Sequence, residues 1–509
     1  MSSDPQPPDP DLPSQVPTGE SPPAAAPSPR RSSTHWLTSI ISWLAIGTLV
    51  VVVILANRTS KTAPRKDDEA TANAADALFE LQAKSYVGLQ FLPDMEVDLY
   101  SQARLLNTGP IAQRLRFIVL AGELSGPQDA VAAIEHLREE FAGSEEPLSA
   151  SDSQTLALLE RLYRAYEAGT WSNVLSRSDE EQLKSDLGWF GELALVPQTT
   201  IGARNPSHVV EIEERQRVVG DTLSLAVAFV IANLCVLAIG GLGLCFVLLF
   251  GCFFLTGRIQ SHLTAGSPYA HVYIETFALW FLAYFLLQRA AVLVADQWHP
   301  LQTALAAFSL SLLTLLWPRI RRVPLATFTE EVGLSRGKHP LLEMVLGACC
   351  YCAMMPAVFI ITLVTLQLVN TIQQGLNGEN TPPIAPEQFA HPIVRWVAEG
   401  DQRTVALVFI LAVVAAPLIE EIMFRGLLYR HLRDLTARWR MAISVVFSCL
   451  ANAFIFAIIH PQGWLALAPL ATLATGCCIL REWRGSLIAP ITLHFINNLV
   501  SIGICILIL

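Results

Sequence analysis

The sequence predicts an all-α, polytopic transmembrane helix bundle of about eight or nine spans, with an N-terminal anchor and a soluble all-helical domain. Three observations predict it. Of 509 residues, 52% are hydrophobic and only 15% charged, against about 25% charged in an average globular chain. The apolar residues gather near 36–56 and throughout 223–509, in runs long enough for the roughly 20 helical residues that cross a hydrocarbon core. Between them, residues 67–195 space their apolar side chains at three and four, the period of half-buried helices.

Residues 1–34 hold ten prolines with Ser, Asp and Gln. Such a composition buries no core, and a disordered tail is expected. Arg30 and Arg31 then precede the apolar stretch Trp36–Ala56. It is too long for a signal-peptide core and no small-residue cleavage site follows, so 35–57 reads as a transmembrane anchor. In 67–215, Ala74–Leu92, Pro110–Leu124, Asp129–Phe141, Ser153–Ala168 and Asp179–Leu195 each carry helical periodicity and end at Gly, Pro, Asn or Ser. They predict antiparallel helices. A helical-repeat arrangement fits their lengths, although no fixed period recurs. A linker is expected near 196–219.

The bundle, 220–509, is expected to use Leu223–Leu255, His271–Gln288, Leu301–Trp317, Leu341–Val369, Thr404–Phe424, Met441–Ile459, Leu465–Leu480 and Leu487–Leu509. Short-loop arginines and lysines orient such spans. Arg319, Arg321, Arg322, Arg336 and Lys338 mark one loop, Arg425, Arg430, Arg433, Arg438 and Arg440 a second, Arg481 and Arg484 a third. Their alternation predicts a cytoplasmic N-terminus in a cytoplasmic (inner) membrane. Arg58, Lys61, Arg65 and Lys66 argue the other way and are outweighed.

The net charge of −10 sits mostly in the polar region. With no basic stripe, nucleic acid is excluded as a partner. The bilayer and a membrane-associated peptide or protein substrate are the expected partners, and domain 67–215 is expected to bind a protein partner. All ten cysteines lie in apolar stretches. Even Cys349-Cys350-Tyr351-Cys352 is expected to pack as small hydrophobes rather than hold a metal.

Ionisable groups inside a bilayer are costly and mark function by default. In the apolar half these are Glu275, Glu420, Glu421, Arg425, His460 and His494, with Asn498 as a polar companion. On a helix Glu421 and Arg425 share a face at i,i+4, so Arg425 neutralises one carboxylate. Glu420 points roughly 100° away and is left to face a cavity, as a general base would. His460 closes one apolar helix, and His494 and Asn498 share a face of another. Taken singly, each has a plain structural explanation as an interfacial ion pair, a helix-end residue or an interhelical hydrogen-bond pair. Together, a base, two imidazoles and a carboxamide on three helices are the parts needed to hydrolyse an amide.

Glu420-Glu421-x-x-x-Arg425, Phe456-x-x-x-His460 and His494-x-x-x-Asn498, on successive apolar helices, resemble the CAAX prenyl protease type II and bacteriocin-processing (CPBP, or Abi) family. The resemblance covers roughly 340–509. It implies an intramembrane endopeptidase acting on a prenylated or leader-bearing substrate. It further implies that Glu420 and His460 activate water, that His494 and Asn498 stabilise the oxyanion, and that Glu421 and Arg425 support them. The family is also described as metalloproteases. Zinc on Glu420, His460 and His494 is then the alternative to the metal-free glutamate mechanism expected here, which requires no cofactor. Two other function classes compete. One is a non-catalytic membrane scaffold or immunity protein. The other is a proton-coupled transporter using Glu275, Glu420 and Glu421, which inverted hydropathy repeats would favour.

Overall fold

The computed structural model describes residues 34–508 except 63–66, 93–97, 108, 143–147, 171–173, 198–207, 294–297, 336, 338, 378–395 and 398–400. The proline-rich tail therefore lies outside the described residues, as do Arg65, Lys66, Arg336 and Lys338. Among the described residues every regular element is helical, and nine helices are long and apolar enough to cross a membrane. The chain is an all-α integral membrane protein.

The anchor, α1 (Thr34–Thr62), packs against the bundle. Its His35 Nδ1 meets His271 Nε2 at 2.6 Å, and Trp43 Nε1 donates to His431 Nε2 at 3.3 Å. The polar region folds as α2 (Asp67–Leu89), α3 (Ile111–Leu124), α4 (Pro127–Ala142), α5 (Ala150–Glu167), α6 (Arg177–Leu187), α7 (Trp189–Leu195) and α8 (His208–Val219). Phe79, Phe117, Leu120, Leu159 and Phe190 lie in their shared core.

Two expectations change here. The single helix over Asp179–Leu195 is broken at Gly188, whose φ of +60° suits a residue without a Cβ. The expected linker 196–219 ends in helix α8, which closes the domain. Arg215 on α8 reaches Glu123 in a buried ion pair at 2.5 Å, and Val218 and Val219 join the core. The charges in this stretch read as linker, yet one of them, Arg215, is a partner inside the fold.

The bundle comprises α9 (Thr222–Leu255), α10 (Ala270–Leu293), α11 (Pro300–Ile320), the short α12 (Leu325–Val332), α13 (Pro340–Asn377), α14 (Gln402–Leu435), α15 (Met441–Ile458), α16 (Trp464–Arg484) and α17 (Ile488–Ile508). α2 packs along α9 and touches α17, so the polar helical region rests on the bundle. α13 packs on α9, α16 and α17. Gly347 makes its contact with α17 close: a Cβ there would lie 2.5 Å from the Ala489 carbonyl oxygen, the small-residue approach that membrane helices use. Cys350 is buried beside Tyr351, Leu473 and Cys477 in an apolar cluster.

The span expected over Thr404–Phe424 is too short. α14 runs on to Leu435, because the arginines that seemed to end it are buried and paired. Arg430 binds Asp434 at 3.0 Å, and Arg433 binds both oxygens of Glu482 at 3.0 Å. Arg425 binds Glu421, Arg484 binds Glu343, and Arg481 donates to the Glu331 carbonyl. Five of the arginines that were counted as loop charges thus sit in internal contacts. Orientation by positive loops then leans on the exposed Arg319, Arg321, Arg322, Arg438 and Arg440.

Candidate active site

The site is organised by α14. Asp401 caps its N-terminus. The backbone N–H and the hydroxyl of Thr404 donate to the Asp401 carboxylate at 2.9 and 2.8 Å and hold it below the usual carboxyl range. The helix then departs from α geometry twice, as π-helix over Phe409–Ala415 and Ile422–Leu428. Such segments concentrate at functional sites, and these two flank Glu420 and Glu421.

Pro417 accounts for a cross-link next to the first π segment. The Ala416 N–H bonds to the Leu411 carbonyl, five residues back. The next donor in that register would be residue 417, but proline has no N–H. The Ala412 carbonyl is satisfied instead from α17, by Asn498 Nδ2 at 2.8 Å. Asn498 is thereby a positioning contact for the glutamate helix, with a second amide hydrogen left for other use. Asn498→Ala should lower stability by about 1–3 kcal/mol, the cost of an unsatisfied buried carbonyl. Thermal melting in detergent measures it, and an unchanged Tm would refute this role.

Glu421 and Arg425 are 0% and 1% exposed and bond at 2.8 Å. Arg425 also donates to the Ala474 carbonyl at 3.2 Å and lies over the Phe456 ring, 4.5 Å from its centroid. Glu421 has a further partner that spacing along one helix could not reveal. His494 Nδ1 lies 2.9 Å from the same carboxylate oxygen that Arg425 holds. The carboxylate can only accept, so Nδ1 carries the hydrogen and Nε2 is turned outward. Nε2 faces Glu420, 3.9 Å from Oε2. Glu420 keeps 20% of its side chain exposed, so it is the less enclosed of the two glutamates. Arg425, Glu421, His494 and Glu420 therefore form one line from buried charge to open carboxylate.

His460 lies in the turn after α15, with Nδ1 2.6 Å from the Phe456 carbonyl. That acceptor leaves Nε2 as the basic nitrogen. Phe456 joins the histidines: its ring is 4.3 Å from that of His460 and 5.9 Å from that of His494. It also meets Phe424 edge-on at 5.1 Å, and Phe424 packs on Phe277 and Trp280 of α10. This apolar wall from α10 was not anticipated, since nothing in an aromatic run of a lipid-facing span distinguishes a wall from ordinary core. Asn452 on α15 was also missed. It donates to the Phe424 carbonyl at 2.8 Å, within the second π segment.

Glu275 takes no part in this line. It pairs with Arg321 at 3.0 Å and accepts from Trp317 Nε1 at 3.0 Å, a satisfied structural ion pair. Among the described residues no three His, Cys, Asp or Glu side chains gather as a metal site. The bond from His494 Nδ1 to Glu421 leaves Nε2 toward Glu420, an orientation that serves a water-activating site and a metal ligand alike.

Comparison with known proteins agrees with this location. Residues 402–500, which span α14 to most of α17, match the family model described as Type II CAAX prenyl endopeptidase Rce1-like. Neither a curated protein nor a solved structure matches the chain.

Proposed function

We propose that the Rce1-like segment is an intramembrane endopeptidase that hydrolyses a peptide bond of a membrane-associated substrate with water activated by Glu420. The observation that carries this reading is the continuous polar line Arg425–Glu421–His494–Glu420, buried at one end and open at the other. Glu420 takes a proton from water as the oxygen adds to the scissile carbonyl carbon. His460 Nε2 assists at the same water. The carbonyl electron pair becomes an oxyanion, which the second amide hydrogen of Asn498 stabilises, together with Nε2–H of His494 in its doubly protonated form. The intermediate then collapses, the C–N bond breaks, and Glu420 returns its proton to the leaving amine. Glu421 holds the His494 ring and Arg425 holds Glu421.

A prenylated C-terminal peptide is the favoured substrate, because the family description names that class. The soluble domain rests on α9 and α17, and in this reading it selects or presents the substrate protein. The direct test is cleavage of a farnesylated, fluorogenic peptide by the purified full chain in detergent. Cleavage should persist in phenanthroline and in a preparation shown by elemental analysis to lack zinc. Loss of cleavage on chelation, restored by added zinc, would overturn the metal-free mechanism. Failure to cleave any lipidated or leader peptide would favour the scaffold reading.

A further inference from the structure

We propose that the face formed by α1, α10 and α11, remote in function from the glutamate site, is a binding site for an anionic diacyl phospholipid. Two apolar grooves open there on the outer surface of the bundle. One, of about 440 Å³, runs between α10 and α11 along Leu282, Ala283, Leu286, Leu313 and Ile320. The other, of about 280 Å³, runs between α1 and α10 along Thr38, Ile41, Ser42, Ala45 and Ala278. They share Leu279, Leu282 and Trp317, so the two grooves meet. Two adjoining grooves match two acyl chains better than they match a single prenyl chain.

The polar end of the second groove carries the charge. Glu275 and Arg321 line it, and the Arg321 guanidinium is divided between Glu275 and the face of Trp317. Arg319 and Arg322 lie close to Arg321 in sequence, both exposed. Arg319 is braced by a bond to the Val323 carbonyl at 3.2 Å. Arg322 has φ +62°, the one positive φ outside glycine among the described residues. The Arg322 and Val323 N–H groups bond back to the Arg319 and Pro318 carbonyls at 3.0 and 2.8 Å, the left-handed stop that ends α11. Three guanidiniums within four residues, against the one buried carboxylate of Glu275, leave net positive charge at this end of α11. The tryptophan lies at the same level, as interfacial aromatics do. A headgroup phosphate on Arg319 and Arg322, with one chain in each groove, satisfies both halves of the site. Because α1 forms one wall, the lipid would also hold the anchor against α10.

The test uses the purified full chain in phosphatidylcholine vesicles doped with phosphatidylglycerol bearing a photoactivatable acyl chain. A phosphatidylcholine with the same labelled chain serves as control. Crosslinks should map to 34–62 and 300–322, with phosphatidylglycerol exceeding the control on the order of tenfold, the worth of one or two interfacial arginines. Arg319→Gln with Arg322→Gln should bring labelling down to the control level. Ala45→Phe with Ala283→Phe should lower labelling by both lipids. As a second readout that does not depend on crosslinking, added phosphatidylglycerol should raise the Tm of the parent more than that of the arginine variant. Equal labelling by the two lipids, or labelling indifferent to the arginines, would overturn the proposal. So would displacement by a farnesylated peptide, which would give the grooves to a prenyl chain, or equal competition by inorganic phosphate.

Discussion

Glu420→Gln should reduce peptide cleavage by roughly 10²–10⁴-fold, the contribution of a positioned general base, while the protein still inserts and melts near the parent temperature. The amide keeps the volume of the side chain and loses the basic oxygen. The fold should tolerate this. The carboxylate is partly exposed and its nearest charged partner, His494 Nε2, stands at 3.9 Å, beyond hydrogen-bond distance. The loss should fall on kcat rather than KM, because the proton transfer occurs only on the way to the transition state. Steady-state kinetics on the farnesylated peptide measure it. Parental kcat in the glutamine variant would remove Glu420 from the mechanism, and cleavage would then have to be reassigned to another base.

Arg425→Ala should behave in the opposite manner and cost about 3–5 kcal/mol of stability, the usual consequence of breaking a buried pair from one side. The substitution leaves the Glu421 carboxylate at 0% exposure without its cation. It also removes the contact with the Phe456 ring and the bond to the Ala474 carbonyl. Glu421→Gln should be costly for the mirror reason. The double variant Glu421→Met, Arg425→Leu should recover much of the loss, since apolar replacement of a whole buried pair is often neutral. It should nonetheless stay nearly inactive, because His494 loses the acceptor that orients its ring. Thermal unfolding in detergent combined with the kinetic assay separates the two effects. Single variants as stable as the parent would show that the pair contributes nothing. An active double variant would show that Glu421 does not position His494.

How much was legible in the sequence differs from one contact to the next. The bond between Glu421 and Arg425 follows from a spacing of four along one helix, and the structure has it at 2.8 Å. The bond between His494 and Glu421 joins residues 73 apart in sequence, and no local periodicity encodes such a distance. Proline at 417 could be read as a helix disturbance, but not that its consequence, an orphaned Ala412 carbonyl, would be met by Asn498 from α17. The premature end assigned to α14 at Phe424 has the same origin. Arginine at membrane depth is unfavourable when judged alone, and only the folded chain supplies Glu482, Asp434 and Glu331 as partners.

The sequence by itself determined that this is a helical membrane protein with a polar helical region between an anchor and a bundle. Run length and apolar period are local properties, and the bilayer and the helix respond to them directly. It also placed Glu420, Glu421 and Arg425 on one helix and His494 and Asn498 on another, as α14 and α17 have them. Tertiary structure alone decided which charges are loop charges and which are internal pairs. It also decided that a histidine from the last helix stands between the two glutamates. Those outcomes depend on how helices distant in sequence pack, because burial and hydrogen bonding are settled by neighbours in space. Two adjacent glutamates that are equivalent as letters become a structural carboxylate at 0% exposure and an accessible one at 20%.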